Sequence, residues 1–150
     1  MEIREALDQI IFEDFLIESS TLNTTARASG LVRTEGITKF QPRWADGKMI
    51  VSLRLKSFND GLEVFDISFK ATFADVAFQA FTPENDTELH PILYTVLAGL
   101  TFSTARGIIF QTFISLTGTK FILPIVRPEL LIQDQGFEIS ENISAGSISA

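Results

Sequence analysis

Few side chains in this sequence have the types and spacing that chemistry requires. There is one histidine, His90, next to Pro91, and there is no cysteine. Without thiols the chain has no disulfide, no zinc-thiolate site and no cysteine nucleophile. Nucleophilic catalysis usually needs a base such as histidine held against the nucleophile, and a histidine beside a proline reads first as a residue at the start of a helix. Glu13, Asp14 and Glu18 form an acidic cluster. On an extended strand, however, neighbours point to opposite faces, so only Asp14 and Glu18 share one, about 13 Å apart. That spacing is too long for a pair of glycosidase carboxylates and for ligands of one metal. No glycine-rich phosphate loop occurs. The expectation is therefore no enzyme, with no catalytic residue, no cofactor and no metal site.

Composition points to binding instead. The 150 residues include 14 Phe against one Trp and one Tyr. Phe carries no polar handle, so its excess marks a deep core or a greasy binding surface. A net charge of −7 argues against nucleic acid and anionic membranes as partners and is compatible with a basic one. With 45% hydrophobic and 21% charged residues, the chain reads as one globular domain. The start, "MEIREALDQIIFEDF", lacks the basic end, apolar run and small-residue cleavage site of an export signal. Together with the absent cysteines, this fits a cytoplasmic protein.

The elements that position these residues are set by "HPILYTVLAGLTFSTARGIIFQTFISLTGTKFILPIV", His90 to Val126. A membrane span needs about 20 mostly apolar residues. The best window here holds Arg106 among several Ser and Thr, and no Lys/Arg cluster flanks it, so membrane insertion is not expected. At 100° per residue the segment reads as a helix. Leu93, Val96, Leu97, Leu100 and Ile108 form one stripe; Ala98, Phe102, Ala105, Ile109, Phe113 and Leu116 form a second, nearly opposite. Gly99, Ser103 and Gly107 lie between them, where another backbone can approach closely. A helix greasy on two sides must be covered twice. One cover is the chain's own sheet. The other is expected to be a neighbouring subunit, which makes Gly99, Phe102, Ser103, Arg106 and Gly107 candidate oligomer-interface residues.

Before the helix, period-two patterns predict four strands: 10–23, 31–44, 48–56 and 63–81, the last with a bulge near Ala74 or Asp75. "FNDG" is a hairpin turn signal. Pro91 suits the first turn of the helix, Gly118 ends it, and "TKFILPIVRP" is extended because each proline disfavours helix at its predecessor. Glu129 to Asp134 is a short helix. The fold class is α+β: a four-stranded antiparallel sheet with a long helix packed on one face and a short C-terminal helical segment. Residues 1–135 make the domain, and 136–150 read as a flexible tail.

Four strands followed by a greasy helix with Phe102, Ala105 and Arg106, then an apolar run, a Thr/Gly turn and "LPIV", resemble the SecB family of export chaperones. That family has a similar "F-x-x-A-R" in its first long helix and "L-x-P-V" after the turn. At the N-terminus "EDFLIE" is similar to the family's first-strand "D-x-x-x-E", which places Asp14 and Glu18. The resemblance implies an ATP-independent holdase, a tetramer built as a dimer of dimers, that holds unfolded polypeptides in greasy grooves and passes them to the translocase ATPase SecA. It implies partner contacts at Asp14, Glu18 and Asp66, and a client groove of Phe40, Trp44, Phe121, Leu123, Leu130 and Leu131. Three departures stand out. Gly107 replaces the acidic residue that usually follows the helix Arg. Ala71 and Thr72 replace a Gly-Gly pair, and Pro128 and Gly136 cut the last helix short. Two alternatives remain open: a SecB-like chaperone outside export, for instance guarding an antitoxin, and a domain that binds a small apolar ligand.

Overall fold

A computed structural model describes residues 2–23, 30–82, 88–118 and 120–143. The chain begins with a short helix α1 (Ile3–Gln9), then strands β1 (Ile11–Leu22) and β2 (Gly30–Arg43). After a 3-10 turn at Trp44–Asp46 come β3 (Lys48–Asn59) and β4 (Leu62–Ala74), and a second 3-10 turn at Phe78–Phe81. The long helix α2 (Pro91–Thr117), a one-turn helix α3 (Pro128–Leu131) and a last strand β5 (Phe137–Ile143) complete it. The sheet is antiparallel throughout, in the order β1-β4-β3-β2-β5. This is the expected α+β architecture with one strand more than the four foreseen.

The central strands follow their alternation. Met49, Val51, Leu53 and Leu55 of β3 and Phe65, Ile67, Phe69, Ala71 and Phe73 of β4 are almost fully buried on one face, as a half-buried sheet requires. Asp60 and Gly61 both have positive φ, 48° and 85°, in the tight turn between these strands, which is what an Asp-Gly hairpin provides. The expected long fourth strand is shorter. It stops at Ala74, Asp75 takes a left-handed φ of 55°, and Val76, Phe78 and Phe81 bury themselves from irregular and 3-10 backbone instead of a bulged strand. Register shifts fall on β1, between Phe12 and Asp14 and between Ile17 and Ser19, and near the start of β4, opposite Ser57 and Phe58.

Two clusters lie between the sheet and α2. Near α1 and the second 3-10 turn, Leu93 and Leu97 from the first half of α2 pack with Met49, Val51, Phe73 and Phe81. Further along, Ala98, Phe102, Ala105, Ile109 and Phe113 pack with Leu53, Leu55, Phe65 and Phe69. The helix therefore uses its two stripes one after the other against a single sheet. Much of what was expected to need a second subunit is covered within the chain, and the apolar remainder on the helix includes Ile92, Leu100 and Leu116, all exposed. α2 is long and apolar enough to cross a membrane by length and composition, and in this fold one side of it packs on the sheet.

Its ends obey local rules. His90 Nδ1 accepts a hydrogen bond from the N–H of Ile92 at 3.1 Å, so the one histidine caps the helix. Gly118, with φ of 70°, closes it through an N–H to Ile114 carbonyl bond of 3.0 Å, the left-handed cap expected of glycine.

The C-terminal segment corrects the expectation of a tail from 136 onward. Residues 137–143 pair with 30–36 of β2, while 144–150 lie outside the described residues. The physical reason is a glycine far up the chain. The ring of Phe137 occupies the space that a Cβ on Gly36 would need, and Phe137 is 8% exposed with its ring edge-on to Phe102 at 6.1 Å. Gly136 has a φ of 86°, and a Cβ there would come within 2.5 Å of the Gly36 carbonyl oxygen. A glycine on each side lets the backbones close and lets one aromatic ring anchor the strand.

Candidate functional site: a groove beside the long helix

After Gly118 the chain turns back along α2 as an extended strap, residues 120–127. Phe121, Leu123 and Val126 point inward and are 2%, 2% and 8% exposed, whereas Ile122 and Ile125 point outward at 49% and 86%. Arg106 fastens the strap: its Nε donates to the Leu123 carbonyl at 2.9 Å. A shallow apolar groove runs between helix and strap on either side of this bond. One depression, about 410 Å³, is lined by Val96, Gly99, Leu100, Ser103, Arg106, Ile125 and Pro128, among others. The other, about 310 Å³, is lined by Ser103, Arg106, Gly107, Phe110, Ile122 and Leu123. The exposed Leu100, Ile122 and Ile125 make this groove the candidate site.

Of the six residues expected from sequence to form the groove, Leu131 and Leu123 line its two depressions. Phe121, Leu123 and Leu131 close the chain's own core, at 1–2% exposure, and Phe121 stacks with Phe113 at 5.0 Å. Leu130 is partly buried against the same cluster. Phe40 meets Tyr94 edge-on at 4.7 Å. Trp44, 52% exposed, lies on Phe78 at the β2–β3 turn, in the other cluster's territory. These six are thus spread over both ends of the domain. Others that line the groove, Leu100, Phe110, Ile122 and Ile125, were missed as a set. Their only signal was the extended "FILPIV" after a helix with more apolar positions than one face can bury.

The interface stripe sorts in a similar way. Phe102 faces the core at 3% exposure. A Cβ on Gly99 would make ordinary contact with Pro128, the first residue of α3, at 3.8 Å, so this position faces the chain's own C-terminal segment. Arg106 is tied to that strap, while Ser103 and Gly107 are exposed.

Of the acidic candidates, Asp14 and Glu18 are exposed on β1. They do not form a simple same-face pair, because the second register shift on β1 leaves Glu18 without a partner in the ladder. Asp66 is engaged elsewhere. Its Oδ1 and Oδ2 accept from Arg54 Nε and Nη2 at 3.0 and 2.8 Å, and this bidentate bond to Arg54 holds the Asp66 carboxyl below its ordinary range. Around it the open face of the sheet carries Lys39, Arg54, Lys56 and Lys70. Among the described residues no group of three or more His, Cys, Asp or Glu side chains is placed to hold a metal.

No protein-family model matches the chain, and no curated protein matches it. Solved structures do. The SecB-like chaperone of Mycobacterium tuberculosis, determined in complex with a ChAD peptide from an antitoxin, aligns with a TM-score of 0.60 over 82% of this chain and 91% of that one, at 16% identity. A sheet with a long helix across it and a strap behind the helix is the class of architecture. The particular fold within that class is SecB-like, in agreement with the strand order and the "F-x-x-A-R" helix of the sequence.

Proposed function

We propose that this protein is an ATP-independent holdase, which keeps unfolded polypeptides from aggregating by seating their apolar segments in the groove between α2 and the strap. The observation that carries this reading is the exposure of Ile125, at 86%, beside Leu100 at 46% and Ile122 at 49%, on a SecB-like frame. Holding an extended chain requires apolar area and no nucleotide. The test is light scattering from a reduced, unfolded client. The expected result is suppression at near-stoichiometric amounts without ATP, and aggregation at its control rate beside an excess of well-folded protein would sink the proposal.

Assembly belongs to the same reading. β1 is an edge strand of 12 residues, with Ile11, Phe12, Leu16 and Ile17 between 37% and 52% exposed. A long bare edge with this much apolar surface calls for cover. A second copy pairing along β1, and a tetramer as a dimer of dimers in the cytoplasm, supply it.

Export through SecA and protection of an antitoxin remain two uses of this activity. For export, Asp14 and Glu18 are the acidic contacts offered to the motor, and Asp66 contributes little while Arg54 holds it. The antitoxin use is favoured by the peptide bound to the mycobacterial structure. Salt-sensitive binding to purified SecA, lost on Asp14→Lys with Glu18→Lys, supports the first; its absence supports the second. The small apolar ligand is the weaker alternative, because both depressions beside α2 are surface grooves.

A further inference from the structure

Arg106 is the one charge on α2, and neither the helix nor residues 121–126 of the strap contain an acid. Among the described residues its recorded bond is to a carbonyl, from Nε to Leu123, and no carboxylate pairs with it. A guanidinium has five N–H donors, so most of this one is left to water. It lines both depressions, with Leu100 and Ile125 on one side and Phe110 and Ile122 on the other.

An apolar segment laid along the groove removes that water. A partly buried cation tolerates this when the covering segment brings an acceptor, and a bare apolar cover leaves it desolvated and unpaired. A carboxylate restores the most, through a charge-assisted and often bidentate bond, while a Lys or Arg at the same place adds like-charge repulsion. We propose that Arg106 selects, within the groove, client segments that carry a Glu or Asp side chain between apolar residues.

The place of Arg106 between two depressions decides the source of the carboxylate. An internal side chain lets apolar neighbours fill both hollows, whereas a chain-terminal carboxylate leaves one empty. A second copy of this chain fits poorly, because the matching faces of α2 and strap would bring another Arg106 and no acid. The chain's net charge of −7 repels acidic clients at long range, but screening over about 10 Å at ordinary salt leaves the contact pair in control. This selection rests on the holdase reading, and it adds a rule for which segments are held.

The experiment measures binding of fluorescein-labelled, end-blocked peptides, with Leu, Ile and Phe on both sides of a central Glu, Gln or Lys. A fourth peptide has a central Gln and a free C-terminal carboxylate. The Glu peptide is expected to bind about tenfold more tightly than the Gln peptide, the Lys peptide being weakest, since a charge-assisted bond in a partly desolvated site supports a factor of that order. Arg106→Gln should collapse the ranking, while Ile125→Ser, at a site too exposed to unfold the protein, should weaken all four alike. The wild-type ranking is itself decisive should Arg106→Gln fail to fold. Equal binding of Glu, Gln and Lys peptides overturns the selection and leaves the holdase standing. A Glu preference that survives Arg106→Gln, or one matched by the free C-terminus, also overturns it. So does binding that vanishes as protein concentration rises, which assigns the groove to a second copy. If no peptide binds a protein that does suppress aggregation, the groove assignment fails together with the selection.

Discussion

The two edges of the sheet are treated in opposite ways. At the β2 edge, residues 30–36 are closed by β5, with the ring of Phe137 set into the gap left by Gly36. At the other edge, β1 has two bulges, yet it keeps Ile11, Phe12, Leu16 and Ile17 in the open. Bulges and short strands are the usual ways to blunt an edge. Greasy side chains on a long one are the reverse. On one side the chain covers residues 30–36 of β2 and ends the sheet with the short strand β5, and on the other a long strand is left for company.

That contrast can be broken most strongly at the seal. Phe137→Ala removes a buried ring and should cost roughly 3–5 kcal/mol, as such truncations do. Chemical denaturation measures the loss, and light scattering should show new self-association as the β2 edge opens. Should the variant keep wild-type stability and mass, β5 is not the seal described.

Gly36→Val attacks the same contact from the other strand. A side chain there collides with the Phe137 ring, and overpacking of this kind typically costs about 1–3 kcal/mol. Protease should then cut ahead of β5, near Gly136, faster than in the wild type. Unchanged cleavage would mean that Phe137 can move aside.

Opening one edge should destabilise, whereas charging the other should only disperse. Ile11→Lys with Ile17→Lys places two cations on the exposed edge and should lower the solution mass while moving the melting temperature little, since exposed positions away from special features usually matter by less than about 0.5 kcal/mol. A monomeric wild type, or a variant of undiminished mass, would count against β1 as the assembly edge.

The smallest effect belongs to the Arg54–Asp66 pair on the open face. Arg54 lowers the folded pKa of Asp66, so the pair's stabilisation is complete above the ordinary carboxylate pKa, about 4. It is lost as pH falls through the lower folded value. Asp66→Asn should be slightly less stable than wild type at neutral pH, with the gap closing under acid. A gap that is the same at every pH would deny the pair that role.

Local signals in the sequence were reliable where backbone chemistry alone decides. His90 with Pro91, the Asp60–Gly61 turn and Gly118 each specify one conformation, and each is found. The alternation of β3 and β4 gave the central sheet because both strands are buried on one face. What was not legible depended on distant partners. "GFEISENI" reads as tail until Gly36 is known to receive Phe137. Phe121, Leu123 and Leu131 are indistinguishable by type from Ile122 and Ile125, and only the path of the strap shows which side faces the core. This also changes the experiment. Phe121→Ala would empty a core position, so it cannot report on client binding, whereas Ile125 and Leu100 can be altered without touching the core.

The claim at the centre is that unfolded polypeptide lies between α2 and the strap. A photo-crosslinking residue placed at Ile125, compared with one at Lys39 on the open face of the sheet, tests it most directly. The account predicts a covalent adduct from position 125 with a reduced, unfolded client, none with the same client in its native state, and little from position 39. Adducts from position 39 equal to those from 125, or none from 125 while aggregation is still suppressed, would contradict it.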